Sequence, residues 1–408
     1  MLNRIWTFFF VGGFAAAIFR AATGHPDVWQ KMVGSTFDMA ETAFKIALGL
    51  TGVMCLWLGI MRIGEKGGAV DLLARAFGPL LRRLFPGIPK GHPATGSIVM
   101  NMAANMLGLD NAATPLGLKA MKDLQELNPQ KDTASDEMIL FMVINTSAVT
   151  VIPVTIFTYR AQMGAADPTD IFLPILIATF CSTMAGLLIT SAFQKIRLFT
   201  PVVLAYLGGM GLLVAGMVAY FGNLDRETMQ AQSSILANFL IFSVIISFML
   251  GGIRRRINLY DTFVDGAKEG FQVAVGIIPY LVAMLVAIGV FRASGALDLV
   301  LDAGRSLAGT LGLDARFIDG LPTAFMKPLS GSGARGMMIE TMQAHGADSF
   351  AGRMASVIQG STETTFYVLA VYFGAVGIRK TRHAVLCGLV ADAAGIAAAI
   401  GVSYLFFG

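Results

Sequence analysis

Apolar stretches of roughly 20 residues recur along this chain, at about 5–22, 43–61, 138–159, 171–193, 200–221, 236–252, 271–291, 354–374 and 384–406. Each is long enough to cross a hydrocarbon core of about 30 Å as an α-helix. A helix satisfies its own backbone hydrogen bonds, which lipid requires of any spanning segment. Charged residues make up only 14% of the chain, against roughly 25% in an ordinary soluble domain. The expected fold is therefore an all-α polytopic membrane protein.

The formal net charge of +4 comes from Lys and Arg gathered in loops. Such clusters report membrane topology and are no footprint for a nucleic-acid polymer. Arg4 before the first apolar stretch predicts a cytoplasmic N-terminus, with residues 5–22 read as an uncleaved first helix. Counting crossings from there places Arg62 to Lys131, Lys195 and Arg197, Arg254 to Arg256, and Arg379 to Arg382 on the inner side. The loops left outside, around Asp167 and Asp170 or Asp225 and Glu227, are poor in cations. A multi-pass protein of the cell inner membrane follows, with the lipid bilayer as its solvent and a homo-oligomer as an open expectation.

Cys55, Cys181 and Cys387 lie far apart inside apolar stretches, and His25, His92, His345 and His383 are equally scattered. That spacing suits packing thiols better than disulfides or a metal site. No nucleophile elbow, paired Cys or phosphate-binding loop occurs. The expectation is a protein that is not an enzyme and holds no metal or organic cofactor.

Two stretches, 62–136 and 292–353, are too polar to cross and too apolar to be free loops. The first opens with Ala69–Leu84, where Val70, Leu73, Phe77, Leu80 and Leu84 recur at helical spacing. Such an amphipathic helix suits the membrane interface.

The chain also resembles itself. At an offset of 227 residues Phe44 falls on Phe271, Gly49 on Gly276, and Gly68-Ala-Val-Asp-Leu72 on Gly295-Ala-Leu-Asp-Leu299. After a gap, Thr114 to Lys119 falls opposite Gly333 to Met338, and then Val143 to Ser147 opposite Val357 to Ser361. The matched spans are an odd number of crossings apart, so the two repeats enter the membrane in opposite directions. Inverted repeats with interrupted polar segments at corresponding places point to a binding site near the midplane. The expected halves are 1–199, with a re-entrant hairpin at about 94–130, and 269–408, with a hairpin at about 318–346. Residues 200–268 connect them.

In the first hairpin Asn101 and Asn105 share a helical face, Gly108 and Pro115 mark an expected helix break, and Asp110 and Asn111 sit at it. Polar groups at membrane depth are costly unless paired, hydrated or in contact with a ligand. Asp110 could equally cap the helix that starts near Asn111. The second hairpin carries Lys327, Ser330, Ser332 and Arg335 among glycines. Two cations and exposed N–H groups at a helix start form an anion cradle, although long cationic chains also snorkel or bind lipid phosphate.

Two crossing segments complete the set. Gln359, Ser361, Thr362 and Glu363 lie inside one apolar stretch, with Glu363 on the face of Gln359 if the segment is helical. Their counterparts Asn145, Thr146 and Ser147 are polar but uncharged. An intramembrane carboxylate is a functional candidate by default, so Glu363 stands as a ligand for substrate hydroxyls, a carrier of a coupling H+, or part of a Na+ site. A structural pairing with Arg335 or Lys327 is its plain alternative. Asp392, in the last apolar stretch, stands as either a site residue or a structural one.

The run Asn101-Met-Ala-Ala-Asn-Met-Leu-Gly-Leu-Asp-Asn-Ala-Ala-Thr-Pro115 resembles the signature of the spore maturation protein A family. Lys327-Pro-Leu-Ser-Gly-Ser-Gly-Ala-Arg-Gly336 with Gln359-Gly-Ser-Thr-Glu-Thr-Thr365 resembles spore maturation protein B. The chain looks like a fusion of the two, within the nucleoside recognition, or Gate, group that is similar to part of the concentrative nucleoside transporters. That resemblance implies re-entrant hairpins facing partly unwound helices, and Glu363 as the counterpart of a substrate-binding acid. The expected function is secondary transport of a small polar solute, nucleoside-like or anionic, by alternating access. The alternatives are a scaffold or regulator of envelope or spore maturation and a flippase of a lipid-linked precursor.

Overall fold

The computed structural model describes residues 2–106, 110–147, 150, 153–224, 226–312 and 314–408; for residues 2, 3, 5, 110–112, 115, 226, 227, 230, 277 and 280 it describes the backbone alone. Among the described residues every regular element is helical, and the one β-bridge pairs Thr133 with Lys380. Each of the nine expected apolar stretches falls on helix, though 138–159 and 354–374 are each split between two helices; among the described residues six helices are long and apolar enough to cross a membrane.

After α1 (Leu2–Ala22), one order of elements occurs twice. The first series is the long α2 (Val28–Gly67), the amphipathic α3 (Ala69–Leu84), a hairpin of α4 (Pro93–Met106) and α5 (Asp110–Leu127), a helix interrupted between α6 (Asp136–Thr146) and α7 (Val154–Gln162), and α8 (Phe172–Gln194). A connector follows: α9 (Pro201–Val203) continues through a π-turn at Leu204–Gly208 into α10 (Gly209–Gly222), and then α11 (Arg226–Arg254). The second series is α12 (Leu259–Ala293), α13 (Ala296–Thr310), a 3₁₀ turn at Ala315–Gly320 with a hairpin of α14 (Leu321–Met326) and α15 (Gly331–His345), the interrupted pair α16 (Phe350–Ser361) and α17 (Thr365–Ala375), and α18 (Ala384–Phe407).

The sequence repeat has a matching backbone. Gly68 (φ 93°) caps α3 and Gly295 (φ 79°) caps α13, both in the left-handed region. Glycine enters that region without the steric cost that a Cβ imposes. The same sharp corner thus turns each long helix into its amphipathic successor.

The chain divides into two compact units whose boundaries fall within α2 and α12 and at the two interrupted helices. One comprises Met1–Trp57, Thr155–Pro168 and Ala267–Gln359. Its core joins Phe9 of α1 to Met284, Ile288 and Phe291 of α12, Leu297 and Leu301 of α13, and Met337 of α15. The other comprises Leu58–Val154, Thr169–Gly266 and Gly360–Gly408. There α6 is buried all round, from Met138 to Ser147, against Leu81 and Leu84 of α3, Met121 and Leu124 of α5, and Leu369 and Phe373 of α17. Helices that are apolar on every face belong at such centres. In the same unit α8 and α18 pack along their length.

Two sequence readings change. Pro115 does not end a helix, because α5 runs from Asp110 through it. Glu363 does not share a helical face with Gln359, because α16 ends at Ser361 and α17 starts at Thr365. Both ends of that break are apolar enough to read as one helix, so hydropathy cannot reveal it.

Candidate functional site

In the larger unit the first hairpin and α6 build a network of side-chain amides. Asn101, fully buried on α4, donates from Nδ2 to the Ala113 carbonyl of α5 at 2.7 Å. This bond ties the two arms of the hairpin. One turn on, Asn105 donates to Asn145 Oδ1 at 2.7 Å and to Asn101 Oδ1 at 3.4 Å. Asn145 in turn donates to the Phe141 carbonyl at 2.8 Å. Buried polar groups must be paired or they destabilise the fold by about 1–3 kcal/mol each, and here the i, i+4 spacing of Asn101 and Asn105 does the pairing.

Tyr372 of α17 is the member that residue-by-residue reading of the polar motifs omits. Its hydroxyl donates to Asn145 Oδ1 at 3.4 Å and its ring stacks on Phe141, centroids 5.6 Å apart. Asn101 Nδ2 also reaches Tyr372 Oη, at 3.5 Å. A Cβ on Gly117 of α5 would collide with that hydroxyl. The available signal was a tyrosine in an otherwise apolar helix, since a buried phenol needs a partner.

The two interrupted helices meet in this unit. The backbone N–H of Glu363 donates to the Thr146 carbonyl at 2.6 Å. Breaking each helix frees backbone groups, and here one freed group of each break pairs with the other. Ser147 Oγ donates to the Val143 carbonyl at 2.9 Å, while its own carbonyl accepts from Thr183 Oγ1 of α8 at 2.6 Å. Thr146, Ser147, Ser361 and Thr362 are buried, whereas the Glu363 side chain is exposed. Beside the amides lies a cavity of about 90 Å³. Asn105, Asn145 and Thr183 supply its polar wall; Phe77, Met102 and Met184 are among its apolar lining. Asp110 and Asn111 lie outside the described side chains.

The smaller unit holds the other candidates. Ser330 is the N-cap of α15, accepting from the Gly333 N–H at 3.0 Å, and its Oγ lies 3.2 Å from that of Ser332. Ser330 therefore has a capping role of the ordinary kind. Lys327 is buried just ahead of that cap, and the Arg335 guanidinium lies 5.6 Å from the centre of the Tyr159 ring. Gln359 is also buried.

Two charged partnerships in this unit have no counterpart in the motif reading. Glu340 of α15 pairs with Arg292 at the end of α12. Arg160 of α7, fully buried, donates to the Ala347 carbonyl at 2.7 Å and to Asp348 at 3.1 Å. It falls just past the apolar stretch 138–159, and its Asp348 partner lies 188 residues away.

Residues 47–163 and 274–379 match the family described as nucleoside recognition, or Gate. This chain belongs to that family. Its two matched segments each run from a long helix through a hairpin to an interrupted helix. The chain is also similar to spore maturation protein B of Bacillus subtilis (strain 168), at 48% identity over 40% of this chain and 91% of that protein. With spore maturation protein A of the same organism it shares 39% identity over 48% of this chain and 97% of the relative. Helices of this length and composition, in a chain of this family, make a multi-pass membrane protein.

Proposed function

We propose that the chain is a secondary transporter of a small polar solute, working by alternating access between two inverted repeats in the cell inner membrane with its N-terminus inside. The observation that carries this reading is the bond between the two helix breaks, Glu363 N–H to the Thr146 carbonyl, beside a hairpin whose Asn101 and Asn105 meet Asn145 of α6. Unwound segments and polar hairpins inside a membrane persist where they line a site. The breaks also lie close to where the chain passes from one compact unit to the other, which suits a hinge.

Amides and hydroxyls both donate and accept, so the site favours a neutral, multiply hydrogen-bonding solute; the family description makes nucleosides the first class to try. The exposed Glu363 carboxylate is suited to accept from solute hydroxyls. Lys327 and Arg335, if they join the path, favour an anion instead. Uptake into proteoliposomes and ligand-induced thermal shifts across nucleosides, amino acids and phosphorylated precursors would decide. Glu363→Gln combined with Asn105→Ala should abolish binding of whichever solute is found, and binding that survives both changes overturns the site.

The names of the two Bacillus subtilis relatives favour a second reading, a membrane scaffold or regulator of spore or envelope maturation. The apolar side of the cavity favours a third, a flippase of a lipid-linked precursor. No uptake of any solute in the panel, with maturation defects in cells that retain the Glu363→Gln protein, would support the scaffold; movement of a labelled precursor between leaflets would support the flippase. Labelling of single cysteines at Lys90 and Ser306 from opposite faces is expected if the repeats are inverted.

A further inference from the structure

A second polar cluster lies in the larger unit, along the face of α18 that carries Gly388, Asp392 and Gly395. These residues are four and three apart, so they line one side of the helix. A Cβ on Gly395 would lie 2.5 Å from Thr362 Cγ2, and one on Gly388 would lie 2.7 Å from Thr365 Cγ2. The break between α16 and α17 therefore runs alongside α18, with Thr362 and Thr365 on either side of Asp392. Thr365 Oγ1 donates to Asp392 Oδ2 at 2.6 Å, and Asp392 is 1% exposed.

The neighbouring hydroxyls are used in an unusual way. Thr364 is the N-cap of α17, where a threonine ordinarily accepts from a backbone N–H of the first turn, yet its side chain makes no cap bond. Among the described residues Thr362 Oγ1 and Thr364 Oγ1 both lack a hydrogen-bond partner, and the two residues are only 4% and 2% exposed. Burying a hydroxyl without a partner is unfavourable. Two of them in the break that Thr365 ties to one buried carboxylate point to a guest.

We propose that Asp392, Thr362, Thr364 and Thr365 bind a monovalent alkali cation, Na+ by preference. Carboxylate and hydroxyl oxygens are hard donors suited to hard cations. The C-terminal end of α16, at Gly360 and Ser361, adds the negative end of a helix dipole. One carboxylate balances one positive charge, and no group of three or more His, Cys, Asp or Glu that could hold a metal occurs among the described residues, so the donor set suits a singly charged ion better than a divalent one. The site is distinct from the amides of Asn101, Asn105 and Asn145.

Binding is testable without any solute, on the purified full chain. The melting temperature is measured in NaCl, KCl, LiCl and choline chloride at equal ionic strength, alongside retention of ²²Na+. Saturating Na+ should raise the midpoint by roughly 5 °C relative to choline. Asp392→Asn should abolish the increment and the retained label. Thr362→Val with Thr364→Val should raise the midpoint in choline, because two unpaired hydroxyls are gone, while cutting Na+ affinity by on the order of tenfold or more. Equal midpoints in all four salts, or a Na+ response that survives Asp392→Asn, would overturn the proposal. If Asp392→Asn does not fold, unchanged Na+ affinity in the double threonine variant overturns it alone. A midpoint that follows pH and ignores the cation would make Asp392 a proton site and overturn it too. Because no solute is present, failure of transport leaves these outcomes intact.

Discussion

The two hairpins occupy the same place in a repeated order of helices, yet they hold different chemistry. At the first, the buried pairing is between neutral groups: Asn101 and Asn105 pair with each other, with the Ala113 carbonyl, with Asn145 of α6 and with Tyr372 of α17. The second is charged: Glu340 on α15 pairs with Arg292, Arg335 lies over Tyr159, and Lys327 is buried before the Ser330 cap. Glycine corners and helix breaks are shared because they shape the backbone. Side chains within that frame are free to diverge, so the repeat does not dictate which polar groups each hairpin carries.

The largest contrast should come from the buried charges. Glu340→Ala leaves Arg292 without its carboxylate and should lower stability by about 3 kcal/mol, discounted because Arg292 retains some solvent access. Chemical unfolding in detergent would measure it, and replacing both partners with Met should recover most of the loss. A Glu340→Ala protein as stable as the parent would remove charge from the account of the second hairpin.

In the neutral hairpin Asn145→Ala strands the amide of Asn105, at a cost of about 2 kcal/mol. It should also weaken solute binding, whereas a loss confined to stability would make the network a structural brace. Glu363→Gln sharpens the comparison from the other side. Its side chain is exposed, so stability should change by less than about 0.5 kcal/mol while solute binding falls; a large stability loss would refute that assignment.

The smallest effect lies at the start of α18. Burial, and then the Arg382 charge, hold the His383 imidazole below its ordinary pKa. The folded state thus binds that proton less readily than the unfolded chain. Its contribution is present above the usual histidine pKa and fades as pH falls through the lower, folded value. His383→Gln should flatten a slight loss of stability below about pH 6.5; an unchanged pH profile would show that other groups carry it.

Much of the site was legible because polar residues in an apolar chain are conspicuous. Asn101 and Asn105 do share a face, as their helical spacing suggested, and Asn145 meets Asn105. Ser330, by contrast, is a helix cap, which a Ser/Gly cluster cannot distinguish from an anion cradle before the helix start is known. Asp392 could not be weighed at all until Thr365 was found against it.

By itself the sequence determined where helices lie along the apolar stretches, the amphipathic α3, and the double order of elements with a glycine at each corner. These follow from hydropathy and local backbone sterics, which a single segment carries within itself. Only the tertiary structure decided that the helix through Glu363 stops at Ser361, that Tyr372 completes the amide network, and that the break runs along the Gly388, Asp392 and Gly395 face. Each of those depends on a partner far away in the chain. A polar group's partner is set by packing, which hydropathy does not encode.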